Sequence, residues 1–454
     1  ALSSTTSTDI PLPAIAADFG ANPIHLKLAL TSYLLALAVF IPASGWLADR
    51  FGARSIFTLA IATFLAGSIF CGLSSSIGEI VVGRIIQGAG GAMMVPVGRL
   101  VILRSVARPG LVGSPAWLPT PPLTGPIIGP PLGGFITTWF DWRWIFWINV
   151  PVGILGIALA LLFFRDIRGE ARVPFDAPGF VLSGFGLVLF MTGSTTLGLG
   201  LLPLPLVLAL FFGGVALLGL YVAYSRRRPH PILDLTLLRV PTFAASIAGS
   251  ILFRLGIGAT PFLLPLLLQI GFGMTPFQSG MITFASAIGA LAMKFVAPPT
   301  LRRFGFRAVL VVNAVIAGLF VMLPAAFTPT TPVALMVTLL LVGGFFRSLQ
   351  FTGVNALAYA DMTPERMSRA TSLTSVAQQL ALSLGISVGA ISLELATAGG
   401  TITAGAFAPA FIVVGLLSML SAIPFTLLSR DAGDEMSGRR PIAPDPVTAM
   451  RERG

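Results

Sequence analysis

Apolar runs of roughly 20 residues follow one another along almost the whole chain, parted by short joints rich in arginine, glycine and proline. At 1.5 Å of rise per residue, a helical run of that length spans the ~30 Å hydrocarbon core of a bilayer. About fourteen transmembrane helices are predicted, near 1–18, 26–47, 55–75, 78–104, 111–138, 144–164, 178–198, 202–224, 242–269, 276–298, 307–326, 332–358, 369–396 and 404–428. The first run is short, so the natural chain is expected to extend upstream of Ala1. No cleavable signal peptide is read at this end.

Composition sharpens this reading to an all-α polytopic membrane protein. Only 10% of residues are charged and 55% are hydrophobic, against about 25% charged in a soluble fold, and mean hydropathy is +0.92. The net charge of +11 points to membrane topology rather than to nucleic acid, because the basic residues sit in short loops that alternate between the two sides. Arg50, Arg54, Arg104, Arg108, Arg165, Arg168, Arg172, Arg226 to Arg228, Arg239, Arg302, Arg303, Arg307, Arg366 and Arg369 fall on one side, and chiefly Lys27 and Arg143 on the other. By the positive-inside rule both termini of this multi-pass protein are cytoplasmic. The tail from Arg430 is charged and rich in Pro and Gly, and is expected to be disordered.

The lone Cys71 permits no intrachain disulfide or thiolate metal site, and His25 and His230 lie in or beside loops. No metal and no cofactor is expected. Lys27 and Lys294 are the only lysines and neither lies in a phosphate-binding turn, which excludes ATP hydrolysis by this chain. No intramembrane His/Asp/Glu cluster or Ser–His arrangement suggests an enzyme.

An internal repeat is visible in the basic loops. Arg50-Phe51-Gly52-Ala53-Arg54, after the second run, recurs as Arg303-Phe304-Gly305-Phe306-Arg307 after the tenth. Two homologous halves are implied, as in transporters that place their site between repeats. The expected organisation is a six-helix bundle over 1–172, two inserted helices over 173–228, a second six-helix bundle over 229–430 and a cytoplasmic tail over 431–454.

Three motifs carry a family resemblance. Gly45-Trp46-Leu47-Ala48-Asp49-Arg50-Phe51-Gly52-Ala53-Arg54 resembles the signature loop of the major facilitator superfamily. Arg84-Ile85-Ile86-Gln87-Gly88 is similar to the superfamily's R-x-x-Q-G element, and Gly125-Pro126-Ile127-Ile128-Gly129-Pro130-Pro131-Leu132-Gly133-Gly134 to its antiporter motif. The stretches from Trp142 to Gly153 and from Pro231 to Leu235 look like the fourteen-helix drug:proton antiporter branch, and Gly91 to Leu100 with Arg254 like its bacterial multidrug-resistance subgroup. The resemblance implies the major facilitator fold, a cytoplasmic gate at Gly45, Asp49, Arg50, Gly52 and Arg54, and an antiporter motif at Gly125, Pro126, Gly129, Pro130, Gly133 and Gly134. Where the branch carries an acid near the start of its first span this chain has Ser4, and Asp9 is the nearest replacement.

The function expected is therefore proton-coupled antiport, exporting small amphiphilic compounds by alternating access. Asp9 and Arg84 are the candidates for proton coupling, and Asp9, Arg84, Gln87, Arg254, Arg347 and Asn355 for the substrate cavity. An arginine deep in a span costs about 2.5–3.5 kcal/mol unless it faces a partner or a cavity, which is why Arg84, Arg254 and Arg347 are singled out. Their excess over Asp9 pulls toward a neutral or anionic substrate. The alternatives are a passive facilitator or channel, or an exporter dedicated to an anionic metabolite or metal chelate. The partners expected are substrate, protons and the lipid bilayer, with no nucleic acid, in a monomer.

Overall fold

The computed structural model describes residues 23–105, 136, 140–164, 174–196, 202–397 and 403–437. Among them are twelve helices long and apolar enough to cross a membrane. We number the main helix of each α1 (Pro23–Phe51), α2 (Ala53–Gly72), α3 (Ile77–Ser105), α4 (Asn149–Phe163, in the span Trp144–Phe163), α5 (Ala177–Thr196), α6 (Leu204–Ser225), α7 (Pro241–Leu266), α8 (Pro276–Phe304), α9 (Phe306–Met322), α10 (Val333–Leu357), α11 (Met367–Thr397) and α12 (Phe407–Leu420, in the span Ala404–Thr426). They coincide with twelve of the fourteen predicted runs. The other two, 1–18 and 111–138, lie outside the described residues but for Ile136.

Glycine sets how closely these helices pack. On α3, a Cβ added at Gly88 would meet Tyr33 O at 2.6 Å on α1, and one at Gly90 would meet Ala60 O at 2.6 Å on α2. Two helices thus lie against opposite sides of α3 with backbone almost touching backbone. In the C-terminal half the closest approach is between α8 and α10, where a Cβ on Gly289 would lie 1.8 Å from Leu341 O and one on Gly344 1.9 Å from Ser286 O. Outward side chains such as Leu162, Phe163, Phe212 and Phe295 are apolar and exposed, the surface expected against lipid acyl chains.

The internal repeat is structural as well as sequential. Gly52 joins α1 to α2 at φ 96°, and Gly305 joins α8 to α9 at φ 77°, both in the left-handed region that an L side chain rarely adopts. Each glycine N–H closes the preceding helix, on Ala48 O at 2.9 Å and on Leu301 O at 2.9 Å. Each glycine carbonyl opens the next helix, accepting from Ile56 N and from Val309 N. The following residues, Ala53 and Phe306, are both fully buried.

Helix α5 lies against both α1 and α11, and α6 packs chiefly on α5. Ser194 of α5 shares a hydroxyl–hydroxyl hydrogen bond with Ser383 of α11 at 2.9 Å, and its carbonyl accepts from Ser387 Oγ. One apolar core, including Ala38, Ile41, Val97, Leu187, Met191, Phe243 and Leu373, joins the first three helices, α5 and the starts of α7 and α11. The expectation of disorder from Arg430 is corrected over the tail's first residues. A short helix, Asp434–Ser437, buries Met436 in the core that holds Phe306 and Leu357, because this apolar side chain finds the open end of α9 and α10.

Candidate functional site

The arginine-rich end of α1 meets the start of α11, and serines make the contact. Ser368 Oγ donates a hydrogen bond to Asp49 Oδ2. One turn further along α11, Ser372 Oγ accepts from the Gly45 backbone N–H at 3.0 Å and pairs with Ser44 Oγ at 3.1 Å. Gly45 is essential to the fit, since a Cβ there would lie 2.6 Å from Ser372 Oγ and 2.7 Å from Ser368 O. Asp49 thus acts across the two halves of the chain through a serine, a partner not foreseen from the sequence. Arg50 is exposed and Arg54 half-buried, while Gly52 makes the left-handed turn that carries both.

Further contacts close the same end. Arg99 of α3 donates to Tyr359 Oη just beyond α10 at 3.2 Å. Arg369 pairs with Asp234 at 3.2 Å, and Thr242 Oγ1 donates to Asp361 at 2.7 Å.

Toward the opposite end, Arg84 is almost fully buried on α3. Its Nη1 donates to Gln87 Oε1 at 3.0 Å, and its Cζ lies 4.5 Å from the centroid of the Tyr33 ring, a cation–π contact. Gln87 Nε2 donates in turn to Ser68 Oγ, which also accepts from Asn149 Nδ2 at 3.1 Å. A buried polar chain therefore ties Arg84 to α2 and α4. Gln87 is one turn from Arg84 on the same face and was legible from the motif; Ser68 and Asn149 needed the packing of three helices.

A second stripe runs down one face of α10, where Arg347, Phe351 and Asn355 recur at four-residue spacing and Tyr359 follows just beyond the helix end. Arg347 Nη2 donates to Ser286 Oγ of α8 at 3.3 Å, Asn355 Oδ1 accepts from Gln378 of α11 at 3.0 Å, and Arg254 of α7 places its Cζ 4.5 Å from the Phe351 centroid. Because Tyr359 at the foot of this stripe meets Arg99 of α3, the face looks toward the other half of the chain. The structure thus brings Arg254, Arg347 and Asn355 together on one inward surface. Lys294, buried on α8, reaches α10 from another side, its Nζ 2.8 Å from Thr352 Oγ1; the sequence alone showed only an isolated lysine.

Asp9, Ser4 and the six antiporter-motif residues Gly125, Pro126, Gly129, Pro130, Gly133 and Gly134 lie outside the described residues. Among the described spans the acids are Asp49, Glu79, Glu365 and Glu394, each within about one helical turn of a span end. No group of three or more His, Cys, Asp or Glu that would hold a metal occurs among the described residues.

The family model for the Major Facilitator Superfamily matches residues 1–253 and 246–449. Among curated proteins, the chain is 36% identical over 392 residues to "Putative multidrug resistance protein MdtD" of Citrobacter koseri, covering 86% of this chain and 83% of that one. It is 35% identical over 395 residues to the protein of the same name from Salmonella heidelberg, with the same coverage. Among solved structures, the human organic anion transporter MFSD10 (TETRAN) superposes with a TM-score of 0.64 at 15% identity, covering 91% of this chain and 88% of that one, a likeness of fold. With its helices, its signature loop and these relatives in agreement, the chain belongs to the major facilitator superfamily and is a multi-pass membrane transporter of small molecules, not an enzyme.

Proposed function

We propose that the protein is a proton-coupled antiporter of the bacterial inner membrane that exports small amphiphilic compounds by alternating access. Two six-helix bundles, 1–172 and 229–430, rock about a central site, with the inserted pair 173–228 beside them and both termini, including the tail 431–454, in the cytoplasm. The working unit is a monomer. The observation that carries this reading is the closure of the arginine-rich end by contacts between α1 and α11, set by Gly45, Asp49, Ser368 and Ser372. These hydrogen bonds lie at helix ends beside the apolar seam of Ala43, Ala48, Met367 and Ala370, so opening parts that seam as well as breaking the bonds. The multidrug-resistance name of its relatives supports a broad, amphiphilic substrate range.

Proton coupling requires a group whose protonation competes with substrate. Asp9 fills that role, with Arg84 held by Gln87, Ser68 and Asn149 as its basic counterpart. The glycines and prolines from Gly125 to Gly134 mark the chain as an antiporter, as the resemblance implies. The test is counterflow in proteoliposomes with an imposed pH step. Uphill movement of substrate, lost in Asp9→Asn and impaired in Arg84→Ala, is the expected result. Strictly downhill movement insensitive to the pH step would make the protein a facilitator, and an unchanged pH dependence in Asp9→Asn would remove that residue from coupling.

A further inference from the structure

Three cations from three helices converge on one and a half turns of α10. Arg347 stands on α10 itself, Arg254 of α7 lies over Phe351, and Lys294 of α8 reaches Thr352. At 1.5 Å of rise per residue, Arg347 and Thr352 are about 8 Å apart along the helix axis. The hydrogen-bond partners of all three are neutral. Arg254 Nε donates to Ser250 Oγ at 3.2 Å, Arg347 Nη2 to Ser286 Oγ at 3.3 Å and Lys294 Nζ to Thr352 Oγ1 at 2.8 Å. Among the described residues no carboxylate forms an ion pair with any of them.

A guanidinium has five N–H donors and an ammonium three, so each cation keeps donors that its serine or threonine does not use. Like charges gathered in a low-dielectric interior without a counter-ion are costly to maintain. A structural role would pair each with an acid. Here the balancing charge is absent from the described protein, and the stripe on α10 looks toward the path. Phe351, also packed edge-on against Phe253, offers a flat apolar surface between the charges.

We propose that Arg254, Lys294 and Arg347 form a binding site for a substrate bearing two or more carboxylates, with Phe351 as the platform for its carbon skeleton. Arg347 and Arg254 take carboxylate oxygens through their free N–H donors, and Lys294 supplies the third charge from behind α10. The site rests on the transport reading for its place on the path, but not on proton coupling.

The experiment is binding to the purified full-length protein in detergent, without any gradient. The probes are a chain-length series of aliphatic and aromatic dicarboxylates, the matching monocarboxylates and dimethyl esters, and tetraphenylphosphonium as a permanent cation. Thermal stabilisation and titration calorimetry should rank dicarboxylate above monocarboxylate, with the esters inert. Arg254→Gln, Arg347→Gln and Lys294→Met should each weaken dicarboxylate binding about tenfold or more, while the charge-retaining Arg347→Lys keeps most of it. Unliganded Lys294→Met should melt no lower than the parent, since it removes an uncompensated buried charge rather than a stabilising pair. Absence of binding across the dicarboxylate series, esters that bind as well as the acids, or affinities unmoved by the three substitutions would overturn the proposal. Dicarboxylate binding without uphill transport under a pH step would leave the site standing and remove proton coupling; uphill transport without dicarboxylate binding would do the reverse.

Discussion

Replacing Gly45 by alanine adds one methyl group at a close contact between α1 and α11, within the proposed gate. Its carbon would lie 2.6 Å from Ser372 Oγ, 2.7 Å from Ser368 O and 3.1 Å from Ser368 C. The nearest backbone atoms belong to α11, so α1 and α11 must part by the better part of an ångström. Three hydrogen bonds stretch together: Gly45 N–H to Ser372, Ser44 to Ser372, and Ser368 to Asp49. At about 1 kcal/mol for a neutral bond and up to twice that for one to a carboxylate, the closed state loses about 2–4 kcal/mol. That corresponds to a shift of roughly thirty- to a thousandfold in the equilibrium between gate-closed and gate-open forms. Pulsed electron–electron distance measurements report it, with spin labels at exposed Ser55 and Thr363 in a background without the buried Cys71. The Gly45→Ala variant should show a long-distance population at the expense of the short one, with uphill transport reduced. A variant that is well folded and gives the parental distance distribution would refute the close-approach reasoning.

Other substitutions test separate parts of the structure. Asp49→Asn keeps an acceptor for Ser368 but loses the charge, so the latch should weaken by about 1 kcal/mol; transport should fall with melting unchanged, and parental transport from a well-expressed variant would count against the latch. Asn149→Leu removes one of the two donors to Ser68 Oγ and should loosen the support of Arg84 by about 1 kcal/mol, read as an altered pH profile of transport at near-parental stability. Gly344→Ala would drive a Cβ to 1.9 Å from the backbone oxygen of Ser286; separation of α8 from α10 should cost about 1–3 kcal/mol, lower the melting temperature and weaken the contact of Arg347 with Ser286. Gly305→Ala imposes φ 77° on a residue with a Cβ and should destabilise by about 1 kcal/mol, measured by thermal melting; an equal or higher melting temperature would show that this turn relaxes.

Much of the architecture was legible because each transmembrane helix satisfies its own backbone hydrogen bonds and declares itself by length and hydropathy alone. The twelve described helices stand where the apolar runs lie. The two five-residue loops that betrayed the repeat also repeat in hydrogen bonding, because Arg-Phe-Gly-x-Arg places glycine at the one position where the chain turns left-handed between two helices. Arg84 with Gln87, and Asp49 with its neighbouring glycines, were legible for the same local reason: their roles depend on spacing along one helix or one turn.

The partners of those residues were not legible. Ser368 and Ser372 are two among many serines in an apolar chain, and only the crossing of α1 over α11, some 320 positions apart in sequence, gives them Asp49 and Gly45 to meet. Lys294 looks like an isolated lysine until α8 and α10 come close enough, through Gly289 and Gly344, to bring it onto Thr352 beside Arg347 and Arg254. The sequence determined the placement of the twelve described membrane helices, the turns between repeats and the motif residues, since these follow from hydrophobicity and backbone sterics within short windows. Which side chains from distant helices share a gate or a charge cluster was decided by the tertiary structure, because hydropathy places a helix in the membrane without choosing its neighbours. That choice rests on close glycine contacts and on hydrogen bonds that exist only once the helices have packed.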